Sequence, residues 1–248
     1  FSGELVCKEV GDGKLPPVEY ITEFIEHFSF YNKDKKVLIT TGATIAPLDP
    51  VRFLTNPSTG KTGFELAKSY LAMGFSVTLV YGSHSKINIQ KLATNPNFKS
   101  FKVHTTEDMY QTVMNEFPQC DYFISAAAVS DIKFHTNSSK LKKDVISSSL
   151  NFEWDMDILA SCIEIKTNQK IVSFAAETDH LSENFHKKWL KKPTNLLIGN
   201  QVHMEDSKTE AQGFGVNENL YYFVKDGKII DQKTCSKKDL AKEILERI

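Results

Sequence analysis

The segment from Gly42 to Gly63, GATIAPLDPVRFLTNPSTGKTG, concentrates residue types that bind anionic ligands. It follows an apolar run and precedes a stretch with helical spacing of apolar residues, which predicts a loop between a strand and a helix. Small residues and amides in such a loop can wrap a phosphate, because backbone N–H groups at the start of a helix attract anions. The segment also holds Arg52, one of only two arginines among 30 basic residues, and a lysine cannot reproduce the flat bidentate fork of arginine.

Two known phosphate-binding motifs fit this segment poorly. The sequence TGKT at 59–62 matches the end of a P-loop, but that motif requires glycine at position 55, where Thr55 stands. The G-x-G-x-x-G fingerprint of dinucleotide-binding folds is absent, and no acidic residue closes the second predicted strand, so hydride chemistry with NAD(P) is not indicated. Gly60 and Gly63, taken singly, could instead serve only the close packing of a helix on a sheet.

Two further segments place small or aromatic residues at the ends of predicted strands. The sequence SAAAVSD, 125–131, ends with Asp131, whose carboxylate could accept hydrogen bonds from ligand amides or could cap a helix. Its alanines allow a ligand to approach the backbone, or they pack under a helix. Phe174 closes the next strand, where it could stack on a base or fill the core.

Four lysines lie on one predicted helix. Lys188 and Lys192 are four residues apart and share a face, as do Lys187 and Lys191. Such a face is usually solvated. Because the helix adjoins strand ends, a polyphosphate site is a competing interpretation.

The elements that would position these residues alternate along the chain. Predicted strands span Lys36–Thr41, Ser76–Tyr81, Phe98–Val103, Tyr122–Ala127, Lys170–Ala175 and Asn195–Gly199. Predicted helices span Gly63–Met73, Glu107–Phe117, Met156–Lys166 and Leu181–Lys191. This alternation predicts an α/β fold with a mainly parallel sheet, in which ligands bind beyond the carboxyl ends of the strands.

The end of the chain has a different character. Leu220–Val224 and Ile229–Ile230, joined through an Asp-Gly pair, predict a C-terminal antiparallel hairpin, which is followed by a helix over Lys237–Ile248. The polar stretch Phe134–Ser149 predicts a mobile surface loop.

Bulk properties narrow the function further. The 248 residues carry a formal net charge of −1, so no strong field recruits nucleic acid or a membrane surface. No apolar run reaches the roughly 18 residues of a spanning helix, and no signal peptide is evident. The four cysteines show no CxxC spacing, which argues against a zinc site or a disulfide framework and is typical of a reducing cytoplasm. The first residue is Phe1, which indicates a fragment or a processed chain.

Taken together, these residues make the chain resemble phosphopantothenoylcysteine synthetase, the phosphopantothenate–cysteine ligase of coenzyme A synthesis. The resemblance covers about 36–248 and rests on GATIAPLDPVRFLTNPSTGKTGFELA, SAAAVSDIKF, KLKK, DMDILA, SFAAETD, NLLIGNQV and QGFGVNENLYYF. It implies a Rossmann-like three-layer α/β/α sandwich, a homodimer whose active site is completed across the interface, and an acyl-nucleotide intermediate. KLKK resembles the bacterial KIKK segment, which favours CTP, accompanied by Mg²⁺, over the ATP that animal members prefer.

The resemblance also implies roles for individual residues. The nucleotide phosphates would lie near Gly42, Ser58, Gly60 and Gly63. Phosphopantothenate and its reacting carboxyl would lie near Asn56, Ala127, Ala128 and Asp131, with Arg52 arriving from the partner subunit. CTP would be held by Asp131, Lys140, Met156, Asp157, Ile158, Leu159, Phe174, Lys188, Lys192 and Asn200. Asn56 and Lys140 would be the catalytic residues.

Three short stretches depart from the usual family pattern. Gly42-Ala43-Thr44 stands in place of Gly-Gly-Thr, 155–158 reads DMDI in place of Asn-Pro-Asp-Ile, and Gly199-Asn200-Gln201 stands in place of Ala-Asn-Asp. These departures bear on base and metal contacts more than on the reaction.

The first 30 residues resemble a different protein. Residues 4–7, ELVC, followed by GDGKLPPVEYI, are similar to the C-terminal tail of phosphopantothenoylcysteine decarboxylase, a flavin enzyme often fused upstream. We therefore expect an extension over 1–30 and a ligase domain over 31–248. Cys7 is followed by Lys8 where glycine is usual, and the flavin domain is absent, so Cys7 is expected to be an inactive remnant of a bifunctional parent. An ordinary N-terminal extension is the alternative.

Other functions stay open at this point. The same ligation could use ATP in place of CTP. A nucleotide-binding module without catalysis would account for Ala43 and Gln201, although Asn56 and Lys140 speak against it. A Rossmann-type NAD(P)-dependent reductase is the third alternative, and the missing fingerprint argues against it.

Overall fold

The computed structural model describes residues 2–4, 10–12, 18, 21, 34–142, 149–202 and 218–248. Its strands are β1 (Ser2–Glu4), β2 (Val10–Asp12), β3 (Lys36–Thr41), β4 (Ile45–Pro47), β5 (Phe53–Thr55), β6 (Ser76–Gly82), β7 (Phe98–Val103), β8 (Tyr122–Ser125), β9 (Ile132–Lys133), β10 (Glu153–Trp154), β11 (Lys170–Glu177), β12 (Leu196–Gln201), β13 (Glu218–Lys225) and β14 (Lys228–Ser236). Its α-helices are α1 (Lys61–Ala72), α2 (Gln90–Ala93), α3 (Thr106–Glu116), α4 (Ile158–Ile165), α5 (Leu181–Lys191) and α6 (Leu240–Leu245).

The central sheet has the strand order β14-β13-β12-β11-β8-β3-β6-β7. The strands from β12 to β7 are mutually parallel, while β13 and β14 continue the sheet in antiparallel register. Parallel strands need a crossover between them, and the helices α1, α3, α4 and α5 supply these crossovers. The carboxyl ends of β3, β8, β11 and β12 therefore meet at one edge of the sheet.

Helices cover both faces of this sheet. Ile39 of β3 and Ile244 of α6 are fully buried in a cluster that also includes α1. On the opposite face, Leu38 of β3 packs in a cluster with Met109 of α3 and with α4, and Phe185 of α5 is buried over β11 and β12. Because neighbouring residues of β3 bury opposite faces, the strand lies in the middle layer, as expected for an apolar run in a parallel sheet. The predicted three-layer α/β/α sandwich is confirmed.

The predicted elements agree closely with the structure. The predicted strands at 36–41 and 98–103 and the predicted helix at 181–191 have the observed bounds, and the other predicted strands and crossover helices deviate by at most two residues. The C-terminal hairpin is confirmed, with longer strands than expected. The final helix was predicted too long, since it spans only Leu240–Leu245. The side chain of Ser236 accepts a hydrogen bond from the backbone N–H of Asp239 at 3.2 Å, so a turn precedes the helix.

Two small antiparallel strand pairs were not predicted. β4 pairs with β5 inside the loop between β3 and α1, and β9 pairs with β10. Several predictions lie outside the described residues, namely those on Cys7, on Lys143 of the KLKK segment, on 143–148 of the expected mobile loop and on 212–217 of the hairpin motif. In the described parts of the chain, no helix has the length and apolar character needed to cross a membrane.

Candidate active site

The loop before α1 opens a small cleft at the carboxyl edge of the sheet. Gly60 is the N-cap of α1 with φ of 79°, a left-handed conformation that glycine adopts without a Cβ clash. Its carbonyl accepts a hydrogen bond from the Thr41 hydroxyl at 2.9 Å, which ties the loop to β3. No described side chain caps α1. The first N–H groups of a helix have no partner within the helix, so this end can receive an anion.

We call this space the helix cleft. It has a volume of about 180 Å³ and is lined by Thr41, Ser58, Thr59, Gly60, Lys61, Thr62, Ala126, Ala127, Ala128, Phe174, Ala176, Asn200, Asn219, Tyr221 and Lys237. Of the residues predicted to lie near nucleotide phosphates, the structure brings Ser58 and Gly60 into it. Asn200, predicted to lie near the nucleotide, also reaches this cleft.

A second, larger space adjoins it, which we call the lysine cleft. It has a volume of about 590 Å³ and is lined by Thr40, Asn56, Pro57, Ser125, Ala127, Ala128, Val129, Asp131, Met156, Asp157, Ile158, Leu159, Ser173, Phe174, Ala175, Ala176, Lys188, Lys191, Lys192 and Leu197. Residues separated by more than 130 positions in the sequence meet here because β3, β8 and β11 end side by side. Most of the residues predicted to contact CTP or phosphopantothenate line this cleft.

The two clefts adjoin each other and share part of their lining. Ala127, Ala128, Phe174 and Ala176 line both of them. The backbone N–H of Ala128 donates to the carbonyl of Gly42 at 2.7 Å, which fixes the backbone that lies between the two clefts. Because the alanines carry only a methyl group, an elongated ligand can extend from one cleft into the other along the backbone.

Carboxylates hold the lysines at the edge of the lysine cleft. Lys188 forms an ion pair with Glu177 at 2.6 Å, and Lys192 forms one with Asp157 at 2.5 Å. All four side chains are partly exposed, so these pairs contribute little to stability. The pairs instead keep two cations facing the cleft, where an anionic ligand could exchange with the carboxylates. Asp157 also caps α4 by accepting a hydrogen bond from the backbone N–H of Ala160 at 3.0 Å.

Asn56 extends across the lysine cleft from the loop before α1. Its side-chain nitrogen donates to the carbonyl of Ala128 at 3.2 Å and to that of Val129 at 3.4 Å. These contacts tether an exposed amide to the end of β8. Asp131 lies two residues beyond this tether and also faces the cleft.

Gly42 and Gly63 line neither cleft, and their surroundings indicate packing. A Cβ on Gly63 would lie 2.4 Å from the Cβ of Thr41, so glycine lets α1 approach β3 closely. Gly42 has φ of 75°, and a Cβ there would lie 1.9 Å from the hydroxyl of Ser85. Their contribution to the site is to position the loop that carries Ser58 and Gly60.

Arg52 and Lys140 also lie outside the lining of both clefts. The Arg52 guanidinium binds Asp49 at 2.6 Å and the carbonyl of Leu141 at 2.6 Å within the same chain. Lys140 is an exposed residue next to that contact. The structure therefore brings Arg52 next to the segment that carries Lys140, but it places neither residue in the cleft that contains Asn56.

Lys237, Tyr221 and Asn219 line the helix cleft and were missed by the sequence analysis. Lys237 is 3% exposed, and burial lowers its pKa to about 8, with the charge of Lys61 acting in the same direction and that of Glu65 opposing it. Nothing in the sequence indicates that Lys237 lies in the helix cleft, because its position depends on β13 and β14 extending the sheet past β12. Lys191, one of the four lysines that the sequence places on one helix, also lines the lysine cleft.

The side chains available as ligands limit how a metal ion could be bound. Among the described residues, no three His, Cys, Asp or Glu side chains gather into a group that could hold one. The lysine cleft offers the separate carboxylates Asp131 and Asp157. Because Mg²⁺ in nucleotide sites is usually bound by one or two carboxylates together with substrate phosphates, these residues fit an ion that arrives with a nucleotide.

The fold and the clefts define an α/β protein with a candidate anion-binding site beyond the carboxyl ends of its parallel strands. Comparison with known proteins then identifies its family. The family described as DNA/pantothenate metabolism flavoprotein C-terminal domain matches residues 32–248, so the chain belongs to that family. The resemblance to phosphopantothenoylcysteine synthetase found in the sequence is thereby confirmed.

Individual relatives agree with this assignment. The coenzyme A biosynthesis bifunctional protein CoaBC of Bacillus subtilis (strain 168) is 35% identical over 253 residues, which cover 99% of this chain and 60% of that protein. The crystal structure of the C-terminal domain of a coenzyme A biosynthesis bifunctional protein CoaBC is 28% identical, with a TM-score of 0.65 over 86% of this chain and 92% of that one. A Cab2 variant in complex with phosphopantothenate-cysteine has a TM-score of 0.70 at 19% identity, covering 93% of this chain and 92% of that one, and shows likeness of fold alone. The chain spans about 60% of the length of the curated relatives it matches first.

Proposed function

We propose that this chain is a ligase that joins 4′-phosphopantothenate to L-cysteine in coenzyme A biosynthesis, through an acyl-cytidylate formed from CTP. The observation that carries the proposal is that the two clefts adjoin and share four lining residues. One offers a helix N-terminus with Lys61 and Lys237, and the other offers the tethered amide of Asn56 beside three lysines. The relatives named for coenzyme A biosynthesis support the same reaction.

In the first half-reaction, a carboxylate oxygen of phosphopantothenate attacks the α-phosphorus of CTP, and pyrophosphate leaves. Two anions must approach each other, so positive groups are needed on both sides of the reacting phosphorus. Lys188 and Lys192 face the lysine cleft, and the N-terminus of α1 faces the helix cleft. Mg²⁺ bound to the nucleotide would neutralise part of the charge of the phosphates. Phe174, which lines both clefts, is placed to stack on the cytosine.

In the second half-reaction, the cysteine amine attacks the acyl carbon, CMP leaves, and an oxyanion develops in between. A preorganised donor next to that oxygen lowers the barrier. Asn56 is the amide that the structure holds in the lysine cleft, and its two contacts to the backbone after β8 restrict its orientation. The departure of CMP requires no protein nucleophile, so the chain needs none in this scheme.

The assembly is part of the proposal. Arg52 lies on the β4–β5 hairpin, outside both clefts of its own chain. This position is compatible with Arg52 binding substrate in the active site of a second copy. A homodimer of this kind would complete each site across the interface. The relatives are named bifunctional proteins, so a decarboxylase domain in the parent protein is a further expected partner.

The test is pyrophosphate release with phosphopantothenate, cysteine and either CTP or ATP. We expect release with CTP that depends on phosphopantothenate, and weaker release with ATP. Preference for ATP would overturn the choice of nucleotide, and no release with either would favour the inactive nucleotide-binding module.

Two lysines on α5 provide a matched pair for this assay. Lys188→Gln should reduce release about 10- to 100-fold, because the cation faces the cleft. Lys187→Gln changes the neighbouring residue, whose ammonium binds Glu183 at 2.6 Å and does not line the cleft, and should leave release unchanged. Equal losses in both variants would contradict the assignment of the lysine cleft.

A further inference from the structure

Among the described residues outside the clefts, Asp49, between β4 and β5, has the carboxylate with the most hydrogen bonds. Its side chain has no exposed surface, although it stands in a loop. One oxygen, Oδ1, accepts hydrogen bonds from the backbone N–H of Val51 at 2.8 Å and from that of Arg52 at 2.9 Å. This half of the carboxylate closes a local turn, which is the usual role of aspartate in a loop.

The other oxygen of Asp49 makes contacts that a local turn does not need. Oδ2 accepts hydrogen bonds from Nη2 of Arg52 at 2.6 Å, from Nε of Arg52 at 3.0 Å, and from the backbone N–H of Leu141 at 3.1 Å. Nη2 of Arg52 also donates to the carbonyl of Leu141 at 2.6 Å. Both backbone polar groups of Leu141 are thus held by a pair of residues about 90 positions earlier in the chain.

The same loop is attached at two other points. The Thr136 hydroxyl donates to the carbonyl of Pro47 at 3.0 Å, and the backbone N–H of Asn137 donates to the carbonyl of Leu48 at 3.1 Å. The contact at Leu141 is the one nearest to Lys140. It is also the only one of these attachments that involves a charged pair, which makes its hydrogen bonds the stronger ones.

We propose that Asp49 is a positioning residue which, through Arg52, fixes the backbone of Leu141 and thereby sets the place of Lys140 for the first half-reaction. This inference rests on the proposed function and on the catalytic role that the resemblance implies for Lys140. It also gives Arg52 a role within its own chain, in addition to the role expected across the dimer. The planar guanidinium suits this task, since it contacts a carboxylate and a carbonyl at once in a fixed geometry.

The charge state of Asp49 makes this contact constant over the working range of pH. Burial raises the pKa of the carboxyl, but hydrogen bonds from Val51, Arg52 and Leu141 outweigh burial and lower the pKa to about 2. The carboxylate therefore stays ionised at neutral pH. The contact acts as a fixed support and not as a pH-dependent switch.

Asp49→Asn distinguishes the roles of the two carboxylate oxygens. The amide oxygen can still accept from Val51 and Arg52, but the NH₂ group would face the donors of Arg52 and Leu141. Asp121→Asn is the matched control, because Asp121 accepts from Lys35 and Lys36 at the amino-terminal edge of the sheet, far from the clefts. We expect the Leu141 amide to exchange its hydrogen about tenfold faster or more in Asp49→Asn than in wild type, with no change in Asp121→Asn. Unchanged exchange would overturn the role of Asp49.

A double-mutant cycle tests the link to Lys140. Asp49→Asn should slow pyrophosphate release about 10- to 100-fold, the usual effect of a small misplacement of a catalytic group. Adding Lys140→Ala to Asp49→Asn should then cost much less than Lys140→Ala costs alone, because the lysine is already misplaced. Additive losses would mean that Asp49 supports the fold and not Lys140. If the wild-type chain releases no pyrophosphate with any nucleotide, the proposed function fails, while the hydrogen-exchange result still decides whether Asp49 fixes Leu141.

Discussion

At the scale of single residues, Asn56 is the clearest case of a side chain whose chemistry follows from its contacts. Its amide nitrogen lies between the carbonyl oxygens of Ala128 and Val129. A carboxylate at the same position would face these oxygens and be repelled from them. Because the NH₂ group carries two hydrogens, Asn56 donates to a developing oxyanion by giving up one of these two carbonyl contacts.

We predict that Asn56→Asp blocks aminolysis and leaves activation in place. Loss of one oxyanion donor costs ~10²–10³ in rate, and that loss would fall on the second half-reaction only. Single-turnover experiments with CTP and phosphopantothenate should then show pyrophosphate release and an accumulating acyl-cytidylate. Failure to trap the acyl-nucleotide in the variant, while wild type turns over, would count against the role of Asn56.

Lys237 makes a prediction about pH possible. Its pKa is lowered to about 8, chiefly by burial, so the ammonium form predominates at neutral pH and is lost as the pH rises through about 8. A phosphate in the helix cleft stabilises the charged form and raises this pKa, so nucleotide binding takes up a proton. We expect the affinity for CTP to fall as the pH rises from about 7.5 to 9.

Calorimetry in buffers of different ionisation enthalpy measures this proton uptake directly. Lys237→Gln should bind CTP more weakly at pH 7 and show no further fall up to about pH 9. Lys238→Gln, which changes the exposed neighbour, should retain the wild-type pH dependence. A pH dependence that survives in Lys237→Gln would assign it to another group.

At the scale of elements, α5 owes its position to a single glycine of β12. Phe185 is fully buried on α5, and a Cβ on Gly199 would lie 2.1 Å from its Cζ atom. The resemblance implies alanine at this position, and the aromatic ring that packs there accounts for glycine in this chain. The contact also sets the position of Lys188 and Lys192 at the end of the same helix.

We predict that Gly199→Ala lowers the free energy of unfolding by about 1–3 kcal/mol, because the core is overpacked. In a Phe185→Leu background the same substitution should cost much less, since the smaller side chain leaves room for a methyl group. Urea unfolding of wild type, Gly199→Ala, Phe185→Leu and the double variant measures the two costs in free energy of unfolding. An equal cost in both backgrounds would show that the ring does not determine the residue at 199.

The elements that sequence reasoning predicted well and those it missed differ in burial. The run Val37–Thr41 is buried throughout, and its apolar character predicts a central strand. By contrast, Phe53–Thr55 is exposed throughout, and its partner strand is only three residues long, so no alternation marks the hairpin. For the site, the residues at strand ends were predicted because parallel strands end at a common edge. Lys237 could not be predicted, because its approach to Lys61 depends on strand order.

At the scale of the whole molecule, both ends of the domain contribute to the clefts. The helix cleft combines the loop before α1 with β13 and the residue after β14, so the antiparallel strands are part of the site and not an appendage. No residue of the β4–β5 hairpin, on the other hand, lines either cleft. The hairpin carries Arg52 between Val51 and Phe53, and the exposed fractions of these two apolar residues are 59% and 43%.

An arginine that serves a second copy requires this hairpin to lie at the dimer interface, and its exposed apolar residues are suited to that position. Leu54 is 51% exposed on the hairpin, and Ile230 is equally exposed on β14, at the far edge of the sheet. We predict that Leu54→Lys reduces the mass in solution from that of a dimer to the 28.0 kDa of one chain, while Ile230→Lys does not. Light scattering after size-exclusion chromatography measures the mass, and the pyrophosphate assay on the same fractions should show that the monomer has lost activity. A dimer that persists in Leu54→Lys would place the interface elsewhere, and a fully active monomer would remove the need for Arg52 of a second copy.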